Sequence, residues 1–299
     1  MRRRIFLILF TLVSAFTTGY FGLQLAFSGL NDTFSLANIT SDLSYAPCFE
    51  TTPLTKIVRS EVEKAFDQSY FYLCKGSQCY VFESADKKYV LKFFRHNRFR
   101  FPVCLGKIPL PSFLSEIHNR RSIDKSKKLH ALFCSCRLAY EYLREESALL
   151  YMHLNKSKNL QKEILIYDTL NRPYSISLDD FEFYLQRKVE PLNSYITSLH
   201  HNGHDEKIPL CLQKMTLLLL SRLEKGIDDH DPVLQKNTGF VDERVVFLDI
   251  GSFYFNEAVK DPDSYHGQVY YMTRKLKRWL EERAPASSPF VDEAIEILL

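Results

Sequence analysis

Residues 226–251 read GIDDHDPVLQKNTGFVDERVVFLDIG. A helical pattern over about 209–225 runs up to Gly226, a common residue just past a helix end. Further on, TGFV (238–241) and RVVFLDIG (244–251) read as two strands joined by the turn Asp242-Glu243. Polar residues concentrated between a helix end and a hairpin are hard to explain by packing. If the hairpin folds back, Asp231, Asn237 and Asp249 approach one point. Phosphoryl transfer uses such a set: a carboxylate to accept the proton of the acceptor hydroxyl, and oxygen ligands for a hard cation that neutralises the phosphates. An acidic surface loop is the plainer reading of the same residues.

Upstream, YFYLC (70–74), CYVFES (79–84) and KYVLKFF (88–94) are short apolar stretches of period two, separated by Lys75-Gly76-Ser77-Gln78 and Ala85-Asp86-Lys87. They predict an antiparallel meander. An irregular basic stretch containing Pro102, Pro109 and Pro111 follows. Residues 136–154, CRLAYEYLREESALLYMHL, then carry helical periodicity, and EILIYD (163–168) and FEFYLQRKV (181–189) predict two more strands. Past the hairpin, the tail predicts two helices separated by Ala284-Pro285-Ala286, with Tyr270, Tyr271 and Trp279 as core.

Lys92 lies mid-strand on the same face as Val90 and Phe94, so its ammonium group emerges among apolar side chains and calls for a counter-charge. A snorkelling edge-strand lysine is the alternative. Leu138, Tyr142, Leu149 and Met152 follow four-three spacing, and the missing position of that series is Glu145, which predicts an inward carboxylate. Glu146 falls on the parallel series Ala139, Leu143 and Leu150. An inward lysine and an inward glutamate on neighbouring elements would satisfy each other, and a lysine so held is aimed at nucleotide phosphates. A purely structural ion pair is the other reading.

Taken in order, these elements resemble the protein-kinase-like fold, whose five-stranded N-lobe has a helix between its third and fourth strands. Val90-Leu91-Lys92 resembles that family's strand-three lysine motif, Glu145 its helix glutamate, His230-Asp231 the end of its HRD motif, and Asp249-Ile250-Gly251 its DFG metal site. The wording of GIDDHDPVLQKNTGFV and LKFFRHNRFR is also similar to chlamydial kinase-like membrane proteins. The resemblance covers about 68–255 and implies a two-lobed α+β fold, with a five-stranded antiparallel N-lobe (about 61–190) and a shortened helical C-lobe (about 191–299). For the site it implies ATP and Mg2+ as cofactors and Asp231, Lys92 and Glu145 as catalytic residues. Gly76, Ser77, Lys92 and Glu190 would bind nucleotide, and Asn237 and Asp249 would bind the metal.

The chain departs from that pattern in several places. The turn KGSQCYVF has one glycine, Gly76, where the family's phosphate-covering loop has two or three. Asn237 follows Asp231 by six residues instead of five, and no APE-like segment occurs among the fifty residues after Asp249. Two readings therefore stand: an atypical ATP-dependent phosphotransferase, and a pseudokinase that kept the fold as a binding or scaffold module.

At its start the chain reads Arg2-Arg3-Arg4 and then an uncharged stretch over 5–29, long enough to cross a hydrocarbon core of about 30 Å as a helix. The arginines before the span place the N-terminus in the cytoplasm and the domain outside it. A retained signal anchor and a signal peptide cleaved near Ala15 are both compatible with 1–29. Residues 30–60 read as a polar linker, with glycosylation-type tripeptides at Asn31-Asp32-Thr33 and Asn38-Ile39-Thr40. Apart from the three leading arginines, 36 basic residues balance 36 acidic ones, yet 87–128 holds twelve Lys or Arg against Glu116 and Asp124. That stripe is either a solvated insertion loop or a contact for anionic lipid or protein; nucleic acid is not an expected partner. Seven scattered cysteines without CxxC pairs predict no structural zinc, and one bond, Cys74 to Cys79, stays open. The cluster His200, His201, His204 and Asp205 reads as a solvated turn or a metal site.

Overall fold

The computed structural model describes residues 33–52, 54–100 and 112–298, together with isolated helical positions among the first 32. The span expected at 5–29 lies, save for those positions, outside the described residues, as do Pro102, Pro109 and Pro111. Among the described residues no helix is long and apolar enough to cross a membrane.

The expected meander forms as β1 (Tyr70–Lys75), β2 (Cys79–Ser84) and β3 (Tyr89–Phe94), each antiparallel to the next. Beside β3 runs β7 (Phe183–Arg187), and beside β7 runs β4 (Leu149–His153), both antiparallel. Four of these, β1–β3 and β7, are among the five expected antiparallel strands, but the expected strand at 163–168 is not in this run, and the sheet has seven strands. The hairpin β5 (Glu163–Tyr167) and β6 (Pro173–Ser177) joins the far edge, with β5 parallel to β1, giving the order β4-β7-β3-β2-β1-β5-β6.

The fourth strand of the five is thus Leu149–His153, a stretch whose sequence reads as helix. The preceding helix stops at Tyr142, and Ala148 takes a positive φ of 52° where the chain turns into the strand. Four of the five residues of β4 are buried, so side chains on both faces are covered and no alternation marks the strand. Upstream, α1 (Leu36–Ile39), α2 (Lys56–Phe66) and α3 (His96–Phe99) are followed by α4, a helix of 31 residues over Ser112–Tyr142. The basic stretch read as irregular is therefore helical from Ser112 on. In the second half of α4, Leu129, Leu132, Phe133, Cys136, Ala139 and Tyr140 follow three-four spacing and are buried, whereas most of 116–128 is exposed.

Residues read as a linker instead cover the sheet. Phe34 inserts among the rings of Tyr72, Tyr80, Phe82 and Tyr174, with centroids 4.9 to 6.5 Å away, and Ile39 is fully buried. Asn38 is buried and donates to Thr33 O and the Tyr80 hydroxyl, so it presents no glycan acceptor. Arg100 donates to Thr40 O at 3.0 Å and to the Ala37 carbonyl, and so holds this segment down.

The remaining elements are β8 (Glu190–Pro191), α5 (Leu192–His201), α6 (Ile208–Glu224), β9 (Ile227–Asp229) and α7 (Leu234–Asn237). After them come β10 (Thr238–Val241), β11 (Arg244–Phe247), β12 (Phe253–Phe255), α8 (Tyr265–Arg283) and α9 (Pro289–Leu298). Gly226 at φ 68° ends α6, and Asp242 and Glu243 at φ 47° and 61° make the tight hairpin turn of β10–β11. Strand β9 pairs with β12, so the chain after Asp249 returns to the start of the polar loop. One large apolar cluster joins α4 to α5, α6, α8 and α9, and a second lies under the sheet with Phe34 and Ile39. Trp279 packs against the first cluster, but Tyr270 and Tyr271 are exposed. Cys74 and Cys79 are both free.

Candidate functional site

Every position of β3 is buried, because neighbours flank it on both sides and the chain covers both faces. Lys92, paired across to Val81 and Tyr184, is 7% exposed, and its Nζ lies 5.3 Å from the centre of the Tyr184 ring. That Nζ donates to Leu248 O at 3.0 Å. Burial lowers the Lys92 pKa, and the attraction of the Asp249 carboxylate acts against that shift. The same pocket pushes the Cys79 thiol up to about 12, chiefly by burial, and raises Cys136 well above its ordinary value for the same reason.

From Leu248 the geometry runs on without a gap. Asn237 O accepts from Leu248 N at 2.7 Å and from Asp249 N at 3.3 Å, and Asn237 Nδ2 donates to Asp231 O at 2.8 Å. Asp249 Oδ1 accepts from Gly251 N at 3.0 Å. Lys92, Asp231, Asn237 and Asp249 thus meet around one stretch of backbone. Asn237 Oδ1 and Asp249 Oδ2 are the side-chain oxygens that these bonds leave unused. The segment between Asp231 and Asn237 runs into α7, whose Lys236 N and Asn237 N donate to Val233 O at 3.0 and 2.9 Å.

Glu145 does not join them. Its series was phased on a helix that would continue to Met152, and α4 ends at Tyr142, three residues before Glu145. The Glu145 side chain is 82% exposed and meets Arg244 at 3.4 Å. Glu146 turns toward α6, accepting from Ser221 Oγ at 2.9 Å and pairing with Lys225. On α4 the buried Cys136 shares an apolar cluster with Cys79 and Tyr184.

Over the site, the β1–β2 turn is tied down by arginines. Gly76 O accepts from Arg95 Nη1 and Ser77 O from Arg98 Nη1, both at 2.7 Å. Gln78 reaches across, its Nε2 donating to Gly251 O at 3.4 Å, and a Cβ on Gly251 would fall 1.8 Å from Gln78 Oε1. Gly76 and Ser77 are exposed above this contact, and Glu190 is exposed on β8. The stripe at 87–128 is correspondingly divided: Arg95 is buried and Arg100 clamps the N-terminal segment, whereas Arg98 and Lys128 stay at the surface.

Several residues that organise the site are not prominent in the sequence. Asp229 and Arg222 form a buried pair at 3.0 Å, with 6% and 0% of their side chains exposed. Asp229 Oδ1 also accepts from Ser252 Oγ at 2.6 Å and from Asp231 N at 2.9 Å, so one acid fixes α6, the segment after Asp249 and the backbone of Asp231. On α4, Ser135 Oγ donates to Ile250 O and accepts from Phe253 N, both at 2.6 Å. An arginine inside the apolar run of α6 and two consecutive acids at its end are the signals that point to the first pair. His200 pairs with Asp205 at 2.8 Å on the surface, and among the described residues no group of three or more His, Cys, Asp or Glu is placed to hold a metal.

No protein-family model matches this chain, and no curated protein is significantly similar to it.

Proposed function

We propose that this chain is a membrane-anchored, kinase-like protein that binds ATP with Mg2+ between its sheet and its helical part and acts as an atypical phosphotransferase. One observation carries the reading. The buried Lys92 ammonium is bonded to the carbonyl immediately before Asp249, while Asn237 holds the backbone of Leu248 and Asp249 and reaches the carbonyl of Asp231. A buried ammonium to which no carboxylate among the described residues is bonded calls for an anion, and nucleotide phosphates supply one. Asn237 Oδ1 and Asp249 Oδ2 would hold the cation, which when bound neutralises charge on the transferring phosphoryl group. The exposed Asp231 carboxylate is left to accept the proton of the acceptor hydroxyl. Five antiparallel strands with a helix between the third and fourth also support a kinase-like fold.

A pseudokinase is the second reading, and two observations favour it. The Glu145 carboxylate lies at the surface on Arg244, and the Gln78 side chain lies against Gly251. The two readings separate in a turnover measurement on the full-length, detergent-solubilised chain supplied with ATP and Mg2+. Phosphotransferase action predicts ATP consumption that falls at least about a hundredfold in Asp231→Asn while nucleotide binding persists. Binding without turnover in the unsubstituted chain selects the pseudokinase, and absence of binding removes the phosphotransferase.

A further inference from the structure

Beside the Lys92–Asp249 cluster lies a cavity of about 680 Å3, bounded by the β1–β2 turn, α3, α4 and residues 251–255. Of the residues assigned to nucleotide and metal, Ser77 lines it, whereas Gly76, Lys92, Glu190, Asn237 and Asp249 do not. Its volume suits a small molecule, since ligand pockets run to roughly 300–1,000 Å3. Phe99, Leu132, Leu138 and Phe253 give it apolar walls.

The charges on its lining are one-sided. Arg98, Lys125, Lys128 and Arg137 face a single carboxylate, Glu141, which is already paired with Arg137 at 3.5 Å. Arg98 and Lys128 form no ion pair with any described carboxylate, and Arg98 spends one donor on Ser77 O. Burial, followed by the repulsion of Arg98, Arg121 and Lys128, lowers the Lys125 pKa. Cations gathered around a concave, partly apolar space favour an anion in that space, and a phosphate with its several acceptor oxygens matches guanidinium and ammonium donors.

We infer that this cavity binds a phosphate-bearing ligand with an apolar portion, the phosphate at Arg98, Lys125 and Lys128 and the apolar portion against Phe99, Leu132 and Phe253. His230, stacked on Tyr254 with centroids 3.9 Å apart, closes the end nearest Asp231. The inference does not depend on the phosphotransferase reading, with which this cavity shares Ser77 but none of the three cations placed on the phosphate.

The test titrates the full-length solubilised chain with inorganic phosphate, phenyl phosphate and a short-chain phosphatidic acid. Saturable binding is expected, weakened about tenfold or more by Lys128→Glu, preserved by Lys128→Arg, and unaffected by Asp249→Ala. Tighter binding of phenyl phosphate identifies a soluble phosphoester as the ligand type, and tighter binding of phosphatidic acid identifies a lipid headgroup; either supports the inference. It is overturned if none of the three binds a chain that melts cooperatively, if Lys128→Glu leaves binding unchanged, or if Asp249→Ala abolishes it. The last result would place the phosphate in the nucleotide cleft. ATP binding that keeps its Mg2+ dependence in Asp249→Ala would instead count against the proposed function and leave this inference standing.

Discussion

Replacing Asp229 by alanine is expected to be among the most damaging single changes in the domain. It leaves Arg222 with its guanidinium fully buried, against Met272 Sδ at 2.9 Å and over the rings of Phe247 and Phe253 at 5.3 and 5.6 Å. Burial already lowers the Arg222 pKa, and the largest opposing influence is the Asp229 carboxylate. Removing one partner of such a pair costs about 3–5 kcal/mol, because the remaining charge stays desolvated and uncompensated. Ser252 Oγ and Asp231 N lose their acceptor at the same time. Against a total stability of about 5–15 kcal/mol, that is a large share. Urea unfolding of the full-length chain and of Asp229→Ala measures the loss. Adding Arg222→Met removes the stranded charge, so the double variant should recover about 2 kcal/mol or more relative to the sum of the two single losses. A single-variant loss below about 1 kcal/mol, or strict additivity, would refute the assignment of this pair as the anchor of the loop.

Three further changes test other parts of the structure. Glu145→Gln should alter stability by no more than about 0.5 kcal/mol and leave ATP affinity unchanged, since the side chain is solvated; loss of ATP binding would restore it to the site. Gly239→Ala places a Cβ 2.2 Å from Glu190 O, which is backbone that cannot swing aside, so β8 must move off β10 and the melting temperature should fall, by an amount equivalent to about 1–3 kcal/mol. The Glu182 carboxyl is raised by burial but lowered more strongly by the His96 ring at 3.0 Å and by Ser41 Oγ, leaving it below its ordinary 4.5. A depressed folded pKa contributes stability that is fully present above the unfolded value and is lost as pH falls through the folded one. Unfolding free energies measured downward from pH 5 should therefore drop less steeply in Glu182→Gln than in the unsubstituted chain, and identical slopes would contradict the role given to this pair.

The sequence was most legible where turn residues punctuate short apolar stretches. The meander of β1–β3 is set off by the turns at 75–78 and 85–87, α6 ends where Gly226 takes a positive φ, and the Asp242-Glu243 hairpin brings Asp249 back toward Asn237. It misled where no such turn residue separates a buried strand from the helix before it. Leu149–His153 reads as the end of a helix because a strand buried on both sides has no polar alternation, and that error turned Glu145 inward. The hairpin β5–β6 joins the sheet by parallel pairing to β1, a long-range contact that carries no local signature. Phe34 and Ile39 sit in a polar context, so their packing on the sheet could not be told from a linker. Ser135 and Gln78 act through backbone groups of 250–253 that lie more than a hundred residues away.

The most direct measurement is equilibrium binding of ATP to the full-length chain, with and without Mg2+, repeated in Lys92→Met and Asp249→Asn. Convergence of these two residues on one nucleotide predicts saturable binding that strengthens with Mg2+, falls in Lys92→Met, and loses its Mg2+ dependence in Asp249→Asn. Binding that is indifferent to Mg2+ and to both substitutions would contradict it.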